Sequence, residues 1–288
     1  MSFRKEQVLP TGPELLQRKV EDLSNLPTLP GVVQTVVRMV ESENTNTEQV
    51  GELISRDQVL SAKILRMVNS PFYGFPGRIS SIPHALVLLG FNVVKGLVLT
   101  TTVFDTLAKE TRGLWEHSLG TAVLSRRIAL HLELPEPDEV LVAGLLHDIG
   151  KVVLSYLAPD DFQSALKVAQ VKHCHIGVAE REVFGVDHTR VALWMADKWH
   201  LPERLNDAIA CHHNIARAEH SREIAAVVQL ADILARGMGY GNGGDPTVPP
   251  IDRGAFKSLG LTFEALDAVI REAEADYVSG AVLFAPGT

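Results

Sequence analysis

Two adjacent residues, His147 and Asp148, carry the first sign of chemistry in this chain. They lie near the end of the segment DEVLVAGLLHDIGK, which runs from Asp138 to Lys151. Continued as one helix over 138–149, this segment places His147 in line with Val140, Ala143 and Gly144, and Asp148 in line with Leu141 and Leu145. Both polar side chains then sit on apolar faces. A carboxylate withdrawn from water without a partner is costly or gives up its charge, so Asp148 needs a cation, a metal or a hydrogen-bond donor. The neighbouring imidazole points to metal.

The same signature recurs along the chain. His117 aligns with Thr121, Leu124 and Ile128; His188 with Ala192 and Met195; His212 with Leu205 and Ile209; Asp232 with Ala225, Val228 and Ala235. Taken singly, each reads as a core residue satisfied by an ordinary hydrogen bond. Together they are imidazoles and carboxylates on several helices, which can converge inside a bundle, and a carboxylate has two oxygens with which to bridge two ions. The expected ligands are His117, His147, Asp148, His188, His212 and Asp232, with His213 in reserve. Nitrogen and oxygen donors without thiolate suit one or two divalent ions of iron, manganese, zinc, nickel or magnesium. Such ions lower the pKa of a bound water and so favour attack on a phosphoester. Asp148 and Lys151 are the catalytic candidates. Lys151 lies one turn beyond Asp148, where its ammonium could neutralise charge developing on phosphate oxygens; the alternative is a solvated charge near a helix end.

The elements that must position these groups are helical. No alternation of apolar and polar residues persists long enough to argue for a sheet. The 3.6-residue period predicts helices over 13–23, 30–41, 47–56, 58–69, 83–89 and 91–109, then 112–133, 138–149, 159–172, 175–184, 188–199, 202–213, 221–237 and 262–284. The 288 residues, 46% hydrophobic and 22% charged, suffice for a folded core. One histidine, His84, precedes residue 110 and ten follow it, so an all-α, two-lobed bundle is expected: an arm and leading helix over 1–22, a helical lobe over 23–110, and the histidine-bearing lobe over 111–288. The apolar stretch around Val93 to Val103 should join the lobes. The Gly- and Pro-rich run GMGYGNGGDPTVPP from Gly237 to Pro250 is expected to be an exposed, poorly ordered loop. Phe72 and Phe75 read as a plug between the lobes, or the whole loop from Pro71 to Gly77, with Tyr73, as a docking surface.

Composition excludes more than it assigns. With 27 basic against 35 acidic residues the net charge is −8, which disfavours nucleic acid and anionic lipid. A helix-turn-helix over 47–56 and 58–69 is disfavoured by Glu48, Glu52 and Asp57, which offset Arg56, Lys63 and Arg66. The apolar run Ala85 to Phe104 is interrupted by polar residues and reads as core rather than a membrane span. Two cysteines, Cys174 and Cys211, make no disulfide framework, and the first residues lack the apolar run of an export signal, so a cytoplasmic protein is expected.

The order His117, His147–Asp148, then Asp232 resembles the HD superfamily of metal-dependent phosphohydrolases. HDIGK from His147, with His188 and His212–His213, is similar to its binuclear HD-GYP branch. That branch follows the His pair with Glu and then a Gly-Tyr-Pro signature, whereas Asn214, Ile215, Ala216 and Arg217 follow here, which speaks against cyclic dinucleotide hydrolysis. LPTLPGVV from Leu26, ISRDQVLSAKILRMVNSPFYG from Ile54 and ISSIPHALVLLG from Ile79 resemble the HDOD family, the HD-related output domain of bacterial signalling proteins, over roughly residues 20 to 235. The resemblance implies an HD-type C-terminal lobe and regulatory output through a signalling-protein partner, with a nucleotide or other phosphoester as ligand. It also implies loss of several metal ligands in most members, whereas this chain keeps a full set. The first 25 residues are too short for a sensory domain, so input is expected through a partner, a ligand or the metal.

Overall fold

The computed structural model describes residues 12–23, 35, 47–70, 73, 75, 78–107 and 113–281. Among them every regular element is helical. The predicted helix over 30–41, the Phe72 plug and the ends of the 91–109 and 262–284 helices lie outside the described residues.

Local sequence explains the first helices. After α1 (Gly12–Leu23) and α2 (Thr47–Ser55), Asp57 caps α3 (Gln58–Val68) by accepting hydrogen bonds from Val59 N at 3.1 Å and Leu60 N at 3.0 Å. Asn69 closes it, donating to the carbonyls of Leu65 and Ile79 and accepting from Ile79 N, each at 2.7 Å. Ser81 caps α4 (Ile82–Leu89), and α5 (Phe91–Leu107) follows. α5 packs on α3 and α4 and also on α7 (Pro137–Leu146) and α8 (Ile149–Leu157), so the Val93 to Val103 stretch does bridge the early and late helices.

α6 (Leu114–His131) is buried along most of its length, because α7, α13 (Arg222–Gly237) and α15 (Phe263–Ala281) all pack against it. Around that core run α9 (Pro159–Lys172), α10 (Ile176–Phe184), α11 (His188–Lys198) and α12 (Glu203–Cys211), with the short α14 (Arg253–Ser258) before the last helix.

The expectations need correction in four places. The single helix over 138–149 is two helices: α7 stops at Leu146, Asp148 turns out of helical geometry at φ −101°, ψ 12°, and α8 restarts at Ile149. The break is set by packing, since a Cβ at Gly150 would overlap the carbonyl oxygen of His188, and the chain must redirect to pass α11. α12 ends at Cys211, so His212 is its cap rather than part of its stripe. α14 was not anticipated from the sequence. Among the described residues, the stretch long and apolar enough to cross a membrane is Pro137–Leu157 rather than Ala85 to Phe104, and it is a buried helix pair inside the fold.

Candidate metal centre

The helix ends and the α6–α13 pair bring every expected ligand to one place. His117 comes from α6, His147 and Asp148 from the turn between α7 and α8, His188 from the first residue of α11, His212 and His213 from the end of α12, and Asp232 from the middle of α13. His117, His147, Asp148, His188 and His212 are 0% exposed. They form two groups whose ligating atoms lie within 4.8 Å of one another: His117, His147 and Asp148 in one, Asp148, His188, His212 and His213 in the other.

Asp148 is common to both. Its Oδ2 lies 3.5 Å from His117 Nε2 and 3.3 Å from His147 Nε2, while its Oδ1 lies 3.4 Å from His188 Nε2 and 3.8 Å from His212 Nε2. Asp232 completes the first group, with Oδ1 3.0 Å from His117 Nε2 and 3.8 Å from His147 Nε2. His213 Nε2 lies 3.1 Å from His188 Nε2 in the second.

The histidines are oriented from behind. His147 Nδ1 donates to Gly144 O at 2.7 Å and His212 Nδ1 to Ile209 O at 2.9 Å, which turns each Nε2 toward the cluster. His188 Nδ1 donates to Glu180 Oε2 at 2.6 Å, and the same oxygen accepts from His188 N at 2.8 Å. Glu180 escaped the sequence reading. Its signal was available, because it stands four residues after Ile176 and four before Phe184 on a buried helical stripe.

Burial and charge set the protonation states. Burial would raise the carboxyl of Asp148, but His147 and Lys151 outweigh it and hold it well below the ordinary carboxylate range. Asp232 is held equally low, chiefly by Arg236 against the same burial. Burial would lower His147, yet Asp148 and Asp232 push it up to about 9. His212 and His213 are driven well below the usual imidazole value, first by burial and then by neighbouring imidazoles. His212 and His213 are thus neutral beside ionised carboxylates, as a metal requires, whereas His147 holds its proton at neutral pH and would release it on binding an ion.

The fit to metal is visible in what the protein leaves unsatisfied. Both ring nitrogens of His117, Nε2 of His147 and of His212, and Oδ1 of Asp148 are buried without a hydrogen-bond partner. An orphaned buried polar atom costs about 1–3 kcal/mol, and here the orphans face one another as nitrogen and carboxylate donors. That set fits one or two divalent ions.

Lys151 is buried, 1% exposed, and its Nζ donates to Asp148 Oδ2 at 2.8 Å and to Gly243 O at 2.7 Å, so the solvated reading fails. Arg236, also missed from sequence, grips Asp232 with two bonds, Nε to Oδ1 at 2.8 Å and Nη2 to Oδ2 at 3.0 Å. Its position four residues after Asp232 on the same helix was a readable pairing signal.

The glycine-rich segment is the larger correction. Over 239–245 it is anchored across the centre through the buried Tyr240 and Gly243, while Gly239, Gly241, Asn242 and residues 246–248 are exposed as expected. Tyr240 stacks on Tyr277 with ring centroids 3.7 Å apart, and Asn242 N donates to Gly113 O at 2.9 Å. Gly241 has φ +64°, and a Cβ there would overlap the Gly113 carbonyl, so glycine here permits close approach rather than mobility. A side chain added at Gly243 would meet His117 Nε2 at 3.2 Å. Asp245 pairs with Arg236 and lies 3.7 Å from Lys151 Nζ. Of the aromatic loop, Tyr73 is buried, stacks on Phe75 and lies beneath Arg126 of α6, which also reaches the Tyr73 carbonyl at 3.4 Å.

Known proteins share this architecture. A crystal structure of an HDOD domain protein of unknown function from Geobacter sulfurreducens is 28% identical, with a TM-score of 0.70 over 95% of this chain and 98% of that one. A chain from Shewanella amazonensis, named as a candidate phosphohydrolase, has the same fold at 22% identity, with a TM-score of 0.68 over 94% of this chain and 98% of that one. An uncharacterised protein of Treponema pallidum is 25% identical over 223 residues, 74% of this chain and 43% of that protein. The chain spans less than half the length of the curated relatives it matches. The family profile of the HDOD domain matches residues 26–215, which takes in His117, the His147–Asp148 pair, His188 and His212–His213. On that match and the shared fold, the chain belongs to the HDOD domain family.

Proposed function

We propose that this protein is a regulatory output module of bacterial signal transduction built around a binuclear divalent-metal centre. The observation that carries the reading is the pair of ligand groups sharing Asp148, closed off beneath the 239–245 segment. His117, His147 and Asp232 would hold one ion, His188, His212 and His213 the other, and Asp148 would give one oxygen to each. Bound ions would supply Lewis acidity and a water of lowered pKa. Glu180 fixes the proton of His188 on Nδ1, and Lys151 and Arg236 supply positive charge on the side facing the 239–245 segment.

Burial favours regulation over continuous turnover: His117, His147, Asp148, His188 and His212 are 0% exposed, and of the expected ligands His213 alone is partly open to solvent. A solved chain from Marinobacter aquaeolei that shares the fold carries a signal-transduction name, which agrees with this reading. The division into lobes near residue 110 and output through a signalling-protein partner belong to the same proposal, as does a cytoplasmic setting. A second reading, hydrolysis of a nucleotide or other phosphoester, is favoured by the buried Lys151 ammonium beside Asp148, a group placed to meet phosphate oxygens.

Elemental analysis of protein purified without chelator tests the core of the proposal. One or two divalent ions per chain are expected, with slow or no hydrolysis of simple phosphoesters in several divalent metals. Metal-free protein that gains no thermal stability on metal addition would refute it. Rapid turnover by the untreated protein would move the conclusion to the second reading.

A further inference from the structure

The carboxylate of Asp245 occupies a place built for an anion. Its Oδ1 accepts from Ile176 N, the first amide of α10, at 2.7 Å, and lies 3.5 Å from His175 Nε2. Its Oδ2 pairs with the Arg236 guanidinium and lies 3.7 Å from Lys151 Nζ. The side chain is 2% exposed and that of Arg236 7%. His175 Nδ1 accepts from Gly177 N at 3.1 Å, which puts the ring proton on Nε2, and that buried nitrogen has no hydrogen-bond partner.

Four donors thus converge from three helices and a cap: an ammonium, a guanidinium, an imidazole N–H and a helix-terminal amide. The Arg236 fork of Nε and Nη2 is taken by Asp232, and its Nη1 is what reaches this place; charged and helix-terminal donors together are a recognition set for an oxyanion. A carboxylate offers this set two oxygens, and a terminal phosphoryl group offers three. The pocket adjoins the metal cluster directly, since Lys151 Nζ is also 2.8 Å from Asp148 Oδ2.

We propose that Lys151, Arg236, His175 and the Ile176 amide form a phosphate-binding site, and that Asp245 fills it as an intramolecular stand-in which a phosphorylated ligand displaces. The class of anion rests on the phosphoester reading of the adjoining centre; the site itself rests on the four donors. Asp245 follows Gly243, which covers His117, so displacing its carboxylate would also lift the segment that closes the cluster.

The test is titration of the full-length, as-purified protein with inorganic phosphate, with metal content measured on every sample. Asp245→Asn should bind phosphate at least about tenfold more tightly than the wild type. Adding Lys151→Gln to Asp245→Asn should remove that gain. In the wild type, rising phosphate should speed amide exchange at residues 239–244. A folded Asp245→Asn protein with unchanged phosphate affinity overturns the proposal. If that variant does not fold, the absence of any exchange response in wild type at saturating phosphate overturns it equally. Phosphate-induced exchange in metal-free protein would uphold the anion site while removing the metal reading; stoichiometric metal without a phosphate response would do the reverse.

Discussion

The His/Asp centre and Lys95 are both ionisable regions withdrawn from water, and the fold treats them in opposite ways. At the centre, Asp148 and Asp232 stay charged because Lys151, Arg236 and His147 lie within ion-pairing distance. Lys95, on α5, is 1% exposed and its Nζ donates to one group, the carbonyl of His200, at 2.9 Å. Burial with no carboxylate to oppose it pushes Lys95 down to about 8. The difference teaches that burial alone does not decide a protonation state. A network of opposite charges can override desolvation, whereas a single dipole cannot.

The sharpest break of that comparison is Asp148→Ala. It removes the shared carboxylate and strands Lys151 as a buried cation, a change that typically costs about 3–5 kcal/mol. Calorimetric melting should show a large fall in Tm, and elemental analysis should show loss of stoichiometric metal. Retention of both would mean that Asp148 neither ties the helices nor holds an ion.

Lys95→Met should act in the opposite direction. A fall from 10.5 to about 8 corresponds to about 3 kcal/mol of penalty at neutral pH, part of which the variant recovers. Below pH 8 both folded and unfolded chains carry the Lys95 proton, and the folded state bears the burial cost. Between about 8 and 10.5 the unfolded chain binds more protons than the folded one, so this residue makes wild-type stability rise with pH across that window. Urea midpoints at pH 7 and pH 9.5 should therefore show a smaller advantage for Lys95→Met at the higher pH. An equal gap at both values would remove the titration argument.

Glu180→Gln tests the support behind one ligand. Replacing a carboxylate that orients a metal-binding imidazole typically weakens metal affinity about 10–100-fold, with a smaller effect on folding than at Asp148. Competition with a chromogenic chelator measures it, and unchanged affinity would place His188 outside the ion's reach. The smallest effect is expected far from both regions. Asp57→Ala removes the N-cap of α3 and should cost about 1 kcal/mol with metal content unchanged; a loss of metal there would show that the α3 region is coupled to the centre.

Much of this centre was legible before any coordinates, for a specific reason. A buried polar side chain on a helix betrays itself by interrupting an apolar stripe, as His117, His188 and Asp232 do. Glu180 and Arg236 carried comparable signals that went unread. His147 keeps helical geometry as the cap of α7, so its stripe holds, whereas Asp148 leaves helical geometry between Leu146 and Ile149 and is delivered from the turn. Asp245 had no such signature. It sits among glycines and prolines where no period operates, and composition alone suggested mobility.

The sequence by itself determined the helical class, the ligand residue types and the burial of their stripes, because periodicity and the cost of burying polar groups act locally along the chain. Only the tertiary structure decided that Asp148 faces both ligand groups, that Arg236 and Lys151 hold the two aspartates, and that the 239–245 segment covers them. The first and last of these relations join residues far apart in sequence, while the two aspartate pairs are local in spacing, three and four residues, and the fold decided only that they are buried together. They are set by how closely α6, α8, α11 and α13 pack, which no local pattern encodes.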